Sequence, residues 1–255
     1  MVDIGRVRYG AGTRPLAIAH RGGTEFAVEN TLDAFATARD LGVRYVETDV
    51  RVTADGAAVL LHDRTLRRIA RCPGSIARLR RRELPGWVPT LEEALDRLPD
   101  ACFAIDIKDP AAVGPVVRAL TTRSAAERVC VAGTWDRTLA TLSAALGPSL
   151  SVALGWNSLA RLVSAAGGAS PLTGGPAGFV HIPLRLGGVR IFSDALLRRA
   201  HAAGIRVIVW TVNDAATMER LLDAGVDGII TDRPSRLREV LIRRGEWTAG
   251  ATQLA

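Results

Sequence analysis

The sequence predicts an α/β protein built as a single (β/α)8 barrel (a TIM barrel), with a β-hairpin and a short insertion after the second strand. Three observations predict this fold: eight short β-rich runs, Ala/Leu/Arg-rich helical stretches between them, and no linker or composition break along the 255 residues. A chain of this length can bury the core of one large domain. We therefore expect a single domain over residues 1–255, with its core at about 16–241 and short tails at both ends.

The strand candidates are short runs of β-branched and other apolar residues. They occupy residues 16–20, 44–50, 101–107, 128–132, 150–154, 178–182, 205–211 and 227–231. Because eight parallel strands in one domain-sized chain can close on themselves, they favour a barrel over an open sheet. An open doubly wound sheet is the alternative, but no Gly-x-Gly-x-x-Gly sequence follows the first strand to support it.

Helical stretches separate these strands. Candidates lie at residues 31–41, 91–98, 137–146, 193–203 and 215–224. Glycines follow four of them, at Gly42, Gly147, Gly204 and Gly225. Because glycine adopts the left-handed conformation that commonly ends a helix, these positions predict helix C-caps.

An additional β-rich run at residues 57–62 interrupts the alternation. It follows an Asp-Gly pair, and Asp-Gly between apolar runs is a strong short-range signal for a hairpin. A two-residue turn at Asp55 and Gly56 pairs residues whose numbers sum to 111, which places His62 opposite Asp49 on the same face of the ribbon. The sequence therefore predicts that the hairpin folds His62 back onto the acidic end of the second strand.

Composition limits the function classes. A hydrophobic content of 48% with 23% charged residues is ordinary for a globular protein and excludes wholesale disorder and fibrous folds. The chain has 32 arginines, a single lysine (Lys108) and a net charge of +7, which favours anionic partners such as phosphorylated small molecules or anionic lipid surfaces. Nucleic acid is the weakest candidate, because no basic helix interleaved with aromatic residues occurs.

The cysteines and the N-terminus bear on the compartment. Cys72, Cys102 and Cys130 are odd in number and lack metal-site spacing, so we expect buried or reduced thiols in a cytoplasmic protein. The first 19 residues contain no sustained apolar stretch of the kind found in a signal peptide. No run is long and apolar enough to span a membrane.

Three carboxylates stand near the C-terminal ends of neighbouring strands, where functional side chains of such barrels collect. Glu47 and Asp49 are two residues apart and share one face of their strand, and Asp106 comes from the next strand. Their mutual repulsion favours a bound cation, and carboxylate oxygens suit Mg2+ or Ca2+ better than zinc. The alternative is a set of ion pairs with Arg21, Arg44 or Arg51.

Histidines and one tryptophan complete the candidates. His20 ends the first strand and His62 comes from the hairpin, whereas we expect His181 and His201 to be structural. Trp210, near the end of the seventh strand, fits a cavity wall and core packing equally well.

The ordered motifs are far more specific than any single residue. They are His20-Arg21-Gly22, Glu29-Asn30-Thr31, Glu47-x-Asp49, Thr53-x-Asp55-Gly56, His62-Asp63, Pro89-Thr90-Leu91-Glu92-Glu93, Asp106-x-Lys108, Trp210-Thr211-Val212-Asn213 and Gly228-Ile229-Ile230-Thr231-Asp232-Arg233-Pro234. From about residue 17 to residue 241, this series strongly resembles the glycerophosphodiester phosphodiesterase family, which belongs to the phospholipase-C-like TIM-barrel phosphodiesterases.

The resemblance implies metal-dependent hydrolysis of glycerophosphodiesters to sn-glycerol 3-phosphate and an alcohol. It implies that His20 and His62 form the general acid/base pair and that Arg21 holds the substrate phosphate. The implied ligands of a divalent ion, Mg2+ or Ca2+, are Glu47, Asp49 and Asp106. It further implies that Lys108 lies near the metal and phosphate, and that Trp210 walls the alcohol side of the substrate.

Two departures from the family pattern stand out. Asp106 replaces the usual glutamate of a Glu-x-Lys motif and shortens the reach by about 1.5 Å, so metal affinity or preference can differ. Val28 stands where the family usually has proline before Glu29, a change we expect to affect only how the following helix begins. Two alternatives remain: lysophospholipase D-type cleavage of lysophospholipids, and a non-catalytic barrel that binds phosphate esters.

An arginine-rich stretch follows His62, with eight arginines between Arg64 and Arg82. The stretch leaves from the strand-end face, so it either forms a solvated surface or rims the cavity mouth and attracts anionic substrates or lipid surfaces. Since 32 basic positions are arginine, we predict that Lys108 needs a compact ammonium rather than a guanidinium.

Overall fold

The computed structural model describes residues 8–11, 15–71, 74–165 and 178–247. Eleven strands occur in these ranges: β1 (Leu16–Ala19), β2 (Tyr45–Val52), β3 (Ala58–Leu60), β4 (Cys102–Ile107), β5 (Val129–Gly133), β6 (Ser151–Val152), β7 (Phe179–Pro183), β8 (Arg185–Leu186), β9 (Val189–Arg190), β10 (Arg206–Trp210) and β11 (Gly228–Thr231). Eight of them form a parallel sheet in the order β6-β5-β4-β2-β1-β11-β10-β7. A parallel bridge between Ala153 and Phe179 links the two ends, so the barrel is nearly closed.

Nine α-helices are present in the described residues, most of them connecting successive barrel strands. They are α1 (Leu32–Asp40), α2 (Arg67–Ala70), α3 (Leu91–Arg97), α4 (Val113–Thr122), α5 (Asp136–Leu146), α6 (Trp156–Ala165), α7 (Asp194–Ala202), α8 (Ala215–Ala224) and α9 (Pro234–Arg243). The predicted (β/α)8 barrel is confirmed. None of the helices in these ranges has the length and apolar character needed to cross a bilayer.

Glycines end several helices as predicted. Gly42, Gly147, Gly204 and Gly225 all have positive φ angles, between 72° and 90°. The prediction is wrong in detail for Gly147, whose ψ of −165° lies outside the left-handed helical region. Gly225 adopts the left-handed conformation directly after α8, where its N–H donates to carbonyls of the last helical turn. A side chain with a Cβ would be strained there, which explains the glycine.

The hydrophobic core has an inner and an outer layer. Alternate strand residues fill the barrel interior, and at its N-terminal end Tyr9 makes edge-to-face contacts with Tyr45 and Phe179 at centroid distances of 5.3 and 5.1 Å. The opposite strand faces pack on the surrounding helices in two large clusters. This packing closes the interior on one side and leaves the C-terminal strand ends to form a site.

The hairpin after β2 differs from its predicted register by one residue. β3 pairs with β2 such that Val50 faces Leu60 and Val52 faces Ala58, so paired residue numbers sum to 110 rather than 111. The turn therefore has three residues, with Gly56 at φ 79°. A glycine in the left-handed conformation at the end of a three-residue turn is a common hairpin form. Leu61, not His62, consequently lies opposite Asp49, and its N–H donates to the Asp49 carbonyl at 2.9 Å.

The segment from β3 to the start of α3 builds a small core of its own. Its buried members are Val59, Leu61, Leu66, Ile76, Leu84 and Val88. The short helix α2 projects from this segment with its arginines exposed. The insertion is thus a packed extension of the barrel that carries most of the arginine-rich stretch.

Candidate active site

The eight predicted site residues gather at the C-terminal ends of the barrel strands. They line one cavity of about 130 Å3. Its polar lining consists of His20, Arg21, Glu47, Asp49, His62, Asp106 and Lys108, and Trp210 stands on its other side. Residues separated by almost 200 positions in the chain are therefore neighbours in space.

A tight turn directly after β1 positions His20 and Arg21 at this cavity. In the 3-10 turn His20–Gly22, Arg21 adopts a left-handed conformation with φ 52°. A Cβ on Gly22 would come within 2.7 Å of the Ala34 Cβ, so only glycine fits between the turn and α1. The backbone N–H of Arg21 donates to Glu47 Oε2 at 3.0 Å. Close packing and hydrogen bonding thus hold an arginine in a conformation that arginine rarely adopts.

Three carboxyl groups form the acidic floor of the cavity. Glu47, Asp49 and Asp106 offer oxygens that all lie within 4.8 Å of one another. Glu47 and Asp49 are buried on β2, and Asp106 lies directly beside Asp49 on β4. Burial and the neighbouring charge of Asp49 raise the pKa of Glu47 well above its usual range. This crowding of oxygen atoms fits a hard divalent cation, whose ligands approach to about 2.1–2.6 Å.

The arginines offered as an alternative explanation of these acids mostly bind elsewhere. Arg44 pairs with Asp100, and Arg51 donates through Nε to the backbone carbonyl of His62 at 2.8 Å. Of the three, only Arg21 contacts the cluster, with its Nε 3.1 Å from Asp49 Oδ2. Arginine pairing therefore accounts for part of the charge of one carboxylate rather than for the whole group.

Lys108 lies beside the same carboxylates. Its Nζ is 2.5 Å from Asp106 Oδ2 and 3.0 Å from Asp49 Oδ1. Burial alone would lower the pKa of Lys108, but the two carboxylates outweigh it and raise this pKa above the usual value. Burial likewise would raise the pKa of Asp49, but the positive charges of Lys108 and Arg21 outweigh it. The pKa of Asp49 therefore lies below its usual value. The lone lysine is thus a fixed positive charge at the edge of the acidic floor.

Asp232 holds His20 in place. His20 Nδ1 lies 2.6 Å from Asp232 Oδ1, while Nε2 is 3.9 Å from Glu47 Oε2. Asn213 donates to Asp232 Oδ2 at 2.8 Å and accepts the Asp232 backbone N–H at 2.9 Å. Burial on its own lowers the pKa of His20, but Asp232 and Glu47 outweigh it and raise this pKa above 6.5.

A chain of ion pairs holds His62 on the opposite side. Its Nδ1 lies 2.7 Å from Asp63 Oδ1, and Arg68 donates through Nε to Asp63 Oδ2 at 2.7 Å. Arg68 also donates to Glu29 Oε2 at 2.9 Å, and Glu29 in turn accepts from Arg21 Nη1 at 3.0 Å. One arginine of the insertion thereby connects the supports of His62 and Arg21.

The other half of the cavity is apolar. Beside Trp210 it is lined by Leu154, Trp156 and Leu159, which follow β6. His181 on β7 also lines it, although its Nε2 atom is buried and has no hydrogen-bond partner within the described ranges. Burial lowers the pKa of His181 to about 4. The cavity therefore offers a charged half and an uncharged half to a ligand.

Several features of the site were missed from the sequence. The apolar wall after β6 carries no motif, and Arg68 could not be separated from its neighbouring arginines. Asp232 directly follows the last barrel strand, but nothing in the sequence indicated that its partner is His20. His201 lies away from the cavity and pairs with Asp227 at 2.8 Å, consistent with its predicted structural role.

Two of the three cysteines lie within the described residues. Cys102 and Cys130 are free and buried, as predicted, and burial raises the pKa of both thiols. Cys72 lies outside the described residues.

Known proteins similar to this chain show which family it is related to. The model of the glycerophosphoryl diester phosphodiesterase family matches residues 20–236. A Mycobacterium tuberculosis protein named probable glycerophosphodiester phosphodiesterase 2 is 41% identical over 246 residues, which cover 91% of this chain and 92% of the relative. A human protein named lysophospholipase D is 25% identical, with 88% and 85% of the two chains covered.

The same relationship is found among solved structures. An Oleispira antarctica phosphodiesterase in complex with the product sn-glycerol-3-phosphate has a TM-score of 0.75 at 23% identity. The match covers 90% of this chain and 97% of that one. At this identity, the likeness supports the barrel fold.

Proposed function

The chain belongs to the glycerophosphoryl diester phosphodiesterase family and is a phosphoric diester hydrolase; from this premise, we propose how it acts. The reaction is metal-dependent hydrolysis of glycerophosphodiesters to sn-glycerol 3-phosphate and an alcohol, with His20 and His62 as the acid/base pair. One observation carries the proposal: two histidines, each held by a carboxylate, line the same cavity as three clustered carboxyl groups.

Charge stabilisation is the first task of the site. Attack at phosphorus builds negative charge on the equatorial oxygens, and a Mg2+ or Ca2+ ion bound by Glu47, Asp49 and Asp106 would stabilise this charge. Arg21 would bind the phosphate through its guanidinium, which is oriented by Glu29 and Asp49. Lys108 would add a compact positive charge at the same place, because two carboxylates hold its ammonium at the cavity edge.

Proton transfer is the second task, and the two histidines differ in how they suit it. The raised pKa of His20 keeps its imidazole protonated to higher pH than a free histidine, which favours His20 as the acid that protonates the leaving alkoxide. His62 would then accept the proton of the nucleophile, with Asp63 orienting its ring through Nδ1.

The substrate class has two candidates. The product bound by the Oleispira antarctica phosphodiesterase supports a glycerophosphodiester. The wall of Leu154, Trp156, Leu159 and Trp210 favours a second candidate, a lysophospholipid, because an acyl chain could pack on it. The relative named lysophospholipase D points the same way.

Hydrolysis of a panel of glycerophosphodiesters and lysophospholipids tests these alternatives. The assay is run with and without chelator, and with Mg2+ or Ca2+ added back. We expect chelation to abolish activity and one of the two ions to restore it. Activity indifferent to chelation would overturn the three-carboxylate metal site. A protein that binds phosphate esters but cleaves none of the panel would instead be the non-catalytic barrel.

Two further proposals concern the whole chain. We propose that residues 1–255 form a single domain with its core at about 16–241, which the family match over residues 20–236 supports. We also propose a cytoplasmic location, supported by the free, buried thiols of Cys102 and Cys130. Limited proteolysis and fractionation of cells test these two proposals separately.

A further inference from the structure

Exposed large apolar side chains concentrate on one face of the barrel. The described residues include seven of them: Phe26, Val28, Trp87, Trp135, Leu186, Val189 and Ile242. All except Ile242 lie in the connections between a barrel strand and the barrel helix that follows it, including the insertion before α3 and the β8–β9 hairpin before α7. Such connections lie on the side of the barrel where the strands end, so six exposed apolar side chains lie on the side on which the cavity opens, which we call the rim.

The β8–β9 hairpin is the most unusual part of this rim. Its two strands pair Leu186 with Val189 and Arg185 with Arg190 across a Gly-Gly turn. Leu186 is 44% exposed and Val189 64% exposed. Because successive side chains of a strand point to opposite sides, the hairpin has one apolar face and one basic face.

Among the described residues, the apolar face of this hairpin is exposed and its basic face has no acidic partner. Arg185 and Arg190 form no ion pair with a described carboxylate, and they donate instead to the backbone carbonyls of Gly188 and Phe192 at 3.1 Å. Like charges directly opposite each other destabilise a strand pair, and two strands without a core are marginal in water. An anionic, partly apolar environment would relieve both costs.

The rim also carries positive charge beyond the hairpin. The insertion after β2, which lies across the barrel from β7 in the strand order, exposes a second set of arginines: Arg64, Arg67, Arg78, Arg80 and Arg82. The whole chain has a net charge of +7. Exposed arginines combined with exposed aromatic and aliphatic side chains on one side of a protein are typical of surfaces that bind anionic membranes.

We propose that this rim docks the enzyme on anionic lipid bilayers, with Leu186 and Val189 inserted among the acyl chains and Arg185 and Arg190 at the lipid phosphates. The arginine stems are long enough to keep their guanidinium groups at the phosphates while the apolar face lies deeper. In this orientation the cavity mouth opens toward the lipid surface. Docking goes beyond the hydrolysis proposed above and does not depend on it.

Co-sedimentation with vesicles tests the docking directly. Vesicles of phosphatidylcholine alone and of phosphatidylcholine with phosphatidylglycerol are compared, without substrate. We expect wild-type protein to bind only the anionic vesicles. The double variants Leu186→Ser/Val189→Ser and Arg185→Gln/Arg190→Gln should each lose about tenfold or more in partitioning. The matched controls are Ile242→Ser, with an exposed apolar residue on α9, and Arg198→Gln, with an exposed arginine on α7.

Two controls show whether the variants are folded: the rate at which they hydrolyse a water-soluble phosphodiester, and their melting temperature. Because the β8–β9 hairpin does not line the cavity, we expect both quantities to be unchanged. Equal vesicle binding by wild type and both hairpin variants would overturn the proposal, as would the absence of binding to anionic vesicles. A wild-type dimer that the hairpin variants convert to monomers, without lipid binding, would make a second copy of this chain the occupant. Because the binding assay uses no substrate, its failure is distinct from failure of the proposed catalysis.

Discussion

The two histidines of the cavity are supported in opposite ways. The His20 side chain is 16% exposed, and its partner Asp232 is held by Asn213, so all its supports follow barrel strands. The His62 side chain is 37% exposed, and its partner Asp63 is held by Arg68 on the insertion. The first support is part of the barrel framework, whereas the second depends on surface ion pairs between connections.

This difference has a physical consequence. Hydrogen bonds among partly buried groups of the barrel framework are hard to replace, while ion pairs of an exposed side chain such as Arg68 contribute little because water screens them. We therefore expect substitutions in the His20 support to change its protonation, and substitutions in the His62 support to change mainly its position.

Removal of either histidine should have the largest effect. His20→Ala and His62→Ala each remove a proton-transfer group, so we expect kcat/KM to fall by about 10²–10⁴. His201→Ala is the matched control, since this histidine lies away from the cavity. Full activity in either cavity variant would remove that histidine from the acid/base pair.

Replacement of Lys108 by arginine tests whether the barrel framework needs a compact ammonium beside the three carboxyl groups. Lys108→Arg keeps the positive charge but replaces a compact ammonium that bridges Asp49 and Asp106, so we expect kcat to fall by about 10²-fold through misplacement. Steady-state kinetics with a soluble phosphodiester measure it. Unchanged kcat would mean that the single lysine is a compositional accident.

The protonation of His20 is the next test. Asp232→Asn removes a negative charge that raises the pKa of His20, so this pKa should fall toward or below 6.5. If His20 is the acid, activity declines as pH rises through this pKa, and the decline should move to lower pH in the variant. NMR titration of the metal-free protein measures the pKa itself. An unchanged titration would show that Asp232 does not set the protonation of His20.

Substitution of Arg68 in the support of His62 should reduce activity least. Arg68→Ala breaks the connection from Asp63 to Glu29, and we expect a loss of about tenfold or less in kcat/KM, because ordered water can replace part of an exposed contact. Arg67→Ala removes an exposed arginine of the same helix and should leave activity unchanged. Arg68→Lys should restore activity only in part, since an ammonium cannot reproduce the two-sided contact of the guanidinium. Equal effects of the two alanine variants would refute the connecting role.

The β2–β3 hairpin was predicted from the sequence in part. An Asp-Gly pair correctly predicted a hairpin that returns His62 to the acidic strand end, yet the turn contains three residues and the register differs by one. Turn type depends on which conformation Gly56 adopts, and local sequence permits more than one. The residues that reach the cavity were therefore predictable, but their backbone pairing was not.

The sequence by itself determined the alternating elements, the helix-ending glycines, the barrel and eight of the residues that line the cavity, because periodicity, turn chemistry and ordered motifs are local properties of the chain. Only the tertiary structure decided that Asp232 holds His20, that Arg68 connects Asp63 with Glu29, and that Leu154, Trp156 and Leu159 form an apolar wall. These contacts join residues up to 212 positions apart. Their geometry follows from barrel closure and packing, which no short stretch of sequence encodes.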